Sequence, residues 1–151
     1  MDSSKVNKPP KDSTKVVHSG KEDVSIHRTV NTPVYRASTI LFKDTDEVEK
    51  AFQDAYGRSS DSPGVFKKVP FYGRKGNPTT WTLERALTEL EKGYDTVLTS
   101  SGLGAVTTAL FAFLKNGDHL LMSDSVYEPT RHFCDQILRK YGIETTYYDP
   151  L

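Results

Sequence analysis

The sequence has 151 residues, with 20 Lys+Arg against 20 Asp+Glu and a formal net charge of zero. That length fits one domain with a real core, and the balanced charge excludes a strongly basic nucleic-acid binder and a polyanionic tail. Hydrophobic residues make up 36% and the mean hydropathy is −0.55, so part of the chain should be exposed or extended.

Residues 1–15 are rich in Lys, Pro, Ser and Asp and read as a disordered tail. Residues 16–42 hold short apolar pieces, Val16-Val17 and Pro33 through Phe42, with no helical period, and read as an extended arm. Asp44 to Ala55 predicts a helix, because Val48, Ala51, Phe52 and Ala55 fall at i, i+3, i+4 and i+7. Residues 57–70 form a loop, with Ser59-Ser60-Asp61-Ser62-Pro63-Gly64 in succession. Asn77-Pro78 is a helix start, with Asn as cap and Pro in the first turn. Leu83, Ala86, Leu87 and Leu90 continue that helix as one apolar stripe, and Gly93 stops it.

Beyond this point strand-like and helical segments alternate. Thr96 to Ser100 predicts a strand. Ser101-Gly102-Leu103-Gly104 opens an apolar helix through Leu114, closed by Asn116-Gly117. His119 to Ser123 predicts a second strand. Pro129 to Tyr141 predicts a helix carrying Phe133, Ile137 and Tyr141 on one face and stopped by Gly142, and Ile143 to Tyr148 a third strand. Such alternation implies an α/β fold with a parallel sheet, whose ligands bind at the carboxyl ends of the strands. The segments after Ser100 and Ser123 are therefore the candidate site.

A helix start rich in small residues presents backbone N–H groups to an anion, with the helix dipole behind them. Gly102 would let a phosphate approach the backbone; a tight strand-to-helix turn would select the same small residues. Gly102-Leu103-Gly104 also begins a dinucleotide-binding pattern, with Asp124 at a suitable distance for a ribose, but the third glycine position is Thr107. In Tyr72-Gly73-Arg74, the Arg fork and the Tyr hydroxyl suit an oxyanion, although spacing alone favours an aromatic-flanked turn. Tyr127, in the loop after the second strand, could stack on a flat ring or pack on its neighbours. Cys134 lies mid-helix beside Phe133 and reads as packed. His18, His27, His119 and His132 have no ligand spacing, so no metal is expected.

No stretch approaches the ~20 apolar residues of a membrane span; the longest apolar-leaning run, Val97 to Leu114, is broken by Ser, Thr and Gly. The N-terminal lysines lead into no apolar segment, and Asp2, Asp12, Glu22 and Asp23 lie among them, which fits neither a secretory leader nor a transit peptide. A single cysteine makes no internal disulfide and fits a reducing cytoplasm.

Taken together, Tyr72-Gly73-Arg74-Lys75-Gly76-Asn77-Pro78-Thr79, Leu83-Glu84, Leu90-Glu91, Ser100-Ser101-Gly102, Gly117-Asp118-His119 and Tyr127-Glu128-Pro129 resemble the Cys/Met-metabolism family of pyridoxal-phosphate enzymes. Val17-His18-Ser19-Gly20 and Asn31-Thr32-Pro33-Val34 sit where that family has its N-terminal extension. Tyr-Gly-Arg with Tyr-Glu-Pro is most similar to the bacterial cystathionine β-lyases, whereas sister enzymes tend to carry Ser or Thr at the place of Gly73. The resemblance covers nearly everything after about residue 15.

The resemblance implies the N-terminal part of a fold-type-I large domain over residues 71–151, preceded by an arm, helix and loop over 16–70. It implies pyridoxal 5'-phosphate as cofactor, with the N–H groups of Gly102 and Leu103 on its phosphate and Tyr127 stacked on its ring. Tyr72 and Arg74 would reach the phosphate of a neighbouring subunit in a dimer of dimers. The implied activity is β-cleavage of L-cystathionine to homocysteine, pyruvate and ammonia. The family's Schiff-base lysine lies further along the chain than Leu151, so these 151 residues are expected to be an N-terminal portion, inactive alone. Ser13-Thr14-Lys15 looks like that lysine's motif but lies in a polar stretch away from any strand end.

Overall fold

The computed structural model describes residues 11–20 and 29–151. They divide between two compact units, Met1–Val97 and Leu98–Leu151. Residues 1–10 of the expected tail, and residues 21–28 of the expected arm, lie outside the described residues.

In the first unit, α1 (Asp12–His18) is a seven-residue helix, where the sequence reads as a tail running into an extended arm. Its charges suit the helix dipole, with Asp12 at the start and Lys15 and His18 at the end. Lys15 pairs with Asp12 at 3.3 Å, far from the role its motif mimics. Just beyond α1, Gly20 (φ +73°) lies so close to the segment 82–86 that a Cβ there would meet the Thr82 carbonyl oxygen at 2.1 Å and the Ala86 nitrogen at 2.7 Å. The helix is held by this tertiary approach, which local hydropathy does not encode.

Helix α2 (Thr45–Ala55) forms where its stripe predicts it. Asp44 caps it by accepting the Glu47 N–H at 2.9 Å, and Glu47 returns a carboxylate to the Lys43 N–H at 2.6 Å. Phe52 and Tyr56 from this end of the unit meet Phe71, with ring centroids 5.7 and 6.1 Å away, both edge-on. Phe42 adds a fourth ring 6.3 Å from Phe71. Helix α3 (Pro78–Glu91) starts at the expected Asn-Pro: the Asn77 side chain accepts from Thr79 and Thr80 N–H, and the Thr80 hydroxyl accepts the Asn77 N–H. Trp81, buried in its first turn, presses on Gly76 (φ +107°), where a Cβ would come within 2.3 Å of the indole nitrogen.

The second unit contains α4 (Gly102–Phe113), β1 (His119–Ser123), α5 (Glu128–Gln136) and β2 (Glu144–Tyr148). β1 and β2 are parallel and in register from His119↔Glu144 to Ser123↔Tyr148, the expected strand–helix–strand unit. Cys134, Leu138 and Ile143 form its buried core, with Leu110, Leu114, Leu120, Met122 and Phe133 packed against it. Burial pushes the Cys134 thiol pKa up, so it behaves as a small apolar side chain.

Two further expectations are corrected. Thr96–Ser100 is not a strand: among the described residues the sheet has only β1 and β2. Alternation gives a segment strand character, but a strand exists only through its ladder. The helix predicted over 129–141 ends at Gln136 and continues as a 3-10 turn, Leu138–Tyr141. The tighter winding, common at helix ends, carries Leu138, which is fully buried. No described helix is long and apolar enough to cross a membrane.

Candidate functional site

In the second unit the candidate site is the start of α4 and the loop that follows β1. Ser101 caps α4, its hydroxyl oxygen accepting the Gly104 N–H at 3.0 Å, and its carbonyl accepts the Ala105 N–H at 3.0 Å. Gly102 and Leu103 thus head the helix with N–H groups for which the helix supplies no acceptor. Gly102 is not among the glycines with positive φ, and a Cβ built on it meets no atom within 4 Å. Neither backbone conformation nor internal packing therefore demands a glycine there. The open space is what a phosphate approaching the leading amides would occupy. Gly104 differs, since a Cβ there would lie 3.0 Å from the Ser101 hydroxyl that caps the helix.

Tyr127 is 67% exposed and stands immediately before α5. Its carbonyl accepts the N–H groups of Thr130 at 2.9 Å and Arg131 at 3.2 Å, so its backbone is fixed while its ring is open to solvent. Asp124, the residue a dinucleotide site would use on a ribose, is already engaged, because the Arg131 guanidinium pairs with its carboxylate. Thr107, at the missing glycine position, directs its hydroxyl to the Gly104 carbonyl at 3.2 Å. Arg131 had no place in the sequence-derived site; its only signal was a position four residues beyond Tyr127 on a helical pattern.

In the first unit, Tyr72 and Arg74 flank Gly73 on a 3-10 turn, Gly73–Lys75. Both side chains are exposed, and the Arg74 guanidinium lies over the Tyr72 ring at 5.4 Å. The turn is fixed from two sides. Phe71 sits in the aromatic cluster, and Lys75 places its ammonium 3.9 Å from the Tyr56 ring centre. The arm closes the other side: Thr39 bridges to Tyr72 and the Gly73 N–H donates to Ser38 O at 2.7 Å. A Cβ on Gly73 would lie 2.0 Å from the Ala37 carbonyl oxygen. A cavity of about 310 Å³, lined by Tyr35, Ala37, Ile40, Pro70 and Trp81 among others, lies behind this turn. Lys68 at its edge is held by Glu84 at 3.0 Å and Asp95 at 2.6 Å. Thus Gly102, Leu103 and Tyr127 share one unit, and Tyr72 and Arg74 the other.

Residues 13–151 match the family model described as Cys/Met metabolism PLP-dependent enzyme. The chain belongs to this family. A Saccharomyces cerevisiae protein provisionally named cystathionine beta-lyase is 46% identical over 121 residues, 80% of this chain and 31% of the relative. The cystathionine beta-lyase of Haemophilus influenzae is 38% identical over 139 residues, 92% of this chain and 33% of the relative. L-Methionine gamma-lyases of Fusobacterium nucleatum match at 32 and 30% identity. Among solved structures, metB of Corynebacterium glutamicum superposes with a TM-score of 0.73 at 27% identity, covering 93% of this chain and 32% of that one. The chain spans about a third of the length of the curated relatives it matches.

The fold is accordingly the α/β fold of the fold-type-I pyridoxal-phosphate enzymes, and the family depends on that cofactor. The residues present fit it. Two leading amides, a helix dipole and the space beside Gly102 suit a phosphate, and an exposed Tyr127 ring suits a flat heterocycle.

Proposed function

We propose that the whole protein is a pyridoxal-phosphate-dependent carbon–sulfur β-lyase that cleaves L-cystathionine to homocysteine, pyruvate and ammonia in the cytoplasm. Bound pyridoxal phosphate would supply the electron sink for a carbanion at the substrate α-carbon. The residues described here would hold that group: Gly102 and Leu103 by donating N–H groups to its phosphate, Tyr127 by covering its ring. Tyr72 and Arg74 would donate to the phosphate of a neighbouring subunit's cofactor, in a dimer of dimers. The observation that carries the reading is the family match over residues 13–151, supported by the head of α4, where the Gly102 and Leu103 N–H groups have no acceptor within the helix.

The β-lyase assignment rests on the Tyr72-Gly73-Arg74 turn. Gly73 lies against the Ala37 carbonyl, where a Ser or Thr side chain would collide unless the arm moved, and the relatives of highest identity named above carry the β-lyase name. The second reading, a γ-synthase or γ-lyase of the same family, is favoured by the methionine γ-lyase relatives. Supplying L-cystathionine to the full-length protein and identifying the 2-oxo acid separates them. Pyruvate supports β-cleavage, and 2-oxobutyrate refutes it in favour of γ-cleavage. A nucleotide-binding module is disfavoured because Asp124 is occupied by Arg131.

A further inference from the structure

Arg131 makes a set of contacts that the cofactor-binding groups do not explain. Its guanidinium donates to the Asp124 carbonyl at 2.9 Å and pairs with the Asp124 carboxylate. The same group lies over the Tyr147 ring, Cζ 3.7 Å from the ring centre, within cation–π range. Tyr147, on β2, is fixed in turn by its hydroxyl, which donates to Asp135 at 2.9 Å. Burial and that bond push the Tyr147 pKa up to about 12, so it stays a neutral donor. The Arg131 backbone N–H meanwhile donates to the Tyr127 carbonyl.

One residue therefore grips both ends of the Asp124–Tyr127 loop, by side chain at Asp124 and by backbone at Tyr127. The backbone of Asp124 is also tied to β2, its N–H donating to Tyr148 O at 2.8 Å; between the two ends, Ser123 and Ser125 hydroxyls meet at 2.8 Å, and Val126 N–H donates to Ser123 O at 3.2 Å. The Tyr127 ring, two-thirds exposed, has among the described residues no ring contact of the kind that holds Phe111 and Phe133. The backbone that carries it sets which positions the ring can reach. We propose that Arg131 is a positioning residue for Tyr127: through Asp124 and Tyr147 it fixes the loop so that the ring is preorganised for a flat heteroaromatic ligand. This rests on the cofactor role proposed for Tyr127.

The test is a double-mutant cycle on the full-length protein, read by titration of pyridoxal phosphate through its visible absorption rather than by turnover. Arg131→Met, which keeps an apolar stem against Tyr147 but loses the bonds to Asp124, should weaken binding on the order of ten-fold. In a Tyr127→Ala background the same change should have little further effect, since the group it positions is gone. Equal losses in both backgrounds would mean a general structural role and overturn the proposal, as would no loss in either. Where Arg131→Met does not fold, Asp124→Asn removes the charge pair and should show the same dependence on Tyr127. If Tyr127→Ala alone leaves binding unchanged, the cofactor role of Tyr127 fails first and the positioning role with it. That outcome is distinct from a normal Tyr127 effect with additive Arg131.

Discussion

Replacing Gly102 by Ala separates what the fold needs from what a ligand needs. The added Cβ meets no atom within 4 Å, Gly102 does not have a positive φ, and the Ser101 cap donor lies two residues on. On the folding side the change removes unfolded-state freedom at a compatible position, which stabilises by about 0.4–1 kcal/mol. That is a rise of at most about 4 °C in Tm. On the ligand side, the new methyl would stand in the open space beside the leading amides, and the proposed phosphate would have to shift off the Gly102 N–H to clear it. Losing one charged hydrogen bond costs about 1.5–3 kcal/mol, or roughly ten- to a hundred-fold in affinity. The assay is paired: thermal unfolding without cofactor, and absorption titration with pyridoxal phosphate. A lowered Tm would refute the claim that packing leaves Gly102 free. An unchanged affinity would refute the phosphate site at the head of α4.

Gly73→Ala should give the opposite pattern. Its Cβ would lie 2.0 Å from Ala37 O and 2.9 Å from Ser38 Cα, so either the arm shifts and the 2.7 Å bond from Gly73 N–H to Ser38 O is lost, or strain remains. Overpacking of this kind costs about 1–3 kcal/mol, visible as a lower urea midpoint, and an unshifted midpoint would show that the arm does not lie against the turn. Asp61 accepts from Ser59, from Ser62 at 3.1 Å and from Lys67 at 3.4 Å. These donors lower its pKa from 3.8 to about 2. The depressed value means that its stabilising contribution is complete above the ordinary carboxylate range and is lost as pH falls through about 2. A carboxyl NMR titration should find its midpoint near the lower value, and Asp61→Asn should flatten the acid limb of stability; a midpoint at the ordinary value would sink the assignment.

The elements that could be read from the sequence are those whose ends carry their own chemistry. Asp44 with Glu47, Asn77 with Pro78, and Ser101 before Gly102 each solve the problem of unpaired leading amides within four residues, so the signal is local. The parallel β1–α5–β2 unit follows from alternating strand and helix patterns. What escaped depends on partners distant in sequence. Helix α1 is secured at Gly20 by a carbonyl and an amide some sixty residues away on α3. The end of α5 is set by where Leu138 finds the core, and Thr96–Ser100 has strand-like residues without a ladder. Of the proposed site, Tyr72, Arg74, Gly102, Leu103 and Tyr127 could be named because the family resemblance marks them. Arg131 could not, since its meaning lies in a stacking contact with Tyr147 sixteen residues on.

The five proposed cofactor-facing residues share a construction. Each is exposed, and each stands next to a residue or group that is firmly held. Tyr72 follows Phe71, locked among three other rings, and Arg74 precedes Lys75, whose ammonium rests on Tyr56. Gly102 and Leu103 follow a Ser101 whose hydroxyl and carbonyl both cap α4. Tyr127 precedes α5, where Thr130 is buried and Arg131 ties the loop to β2 through Tyr147. A group that must meet a ligand has to leave its own polar atoms or ring unsatisfied in the free protein, so it contributes little to holding itself in place. Its neighbours must supply the order that lowers the entropy cost of binding. Substitutions at the exposed members should therefore act mainly on ligand affinity. Substitutions at Phe71, Ser101 and Arg131 should act on affinity through the geometry of the residue beside them.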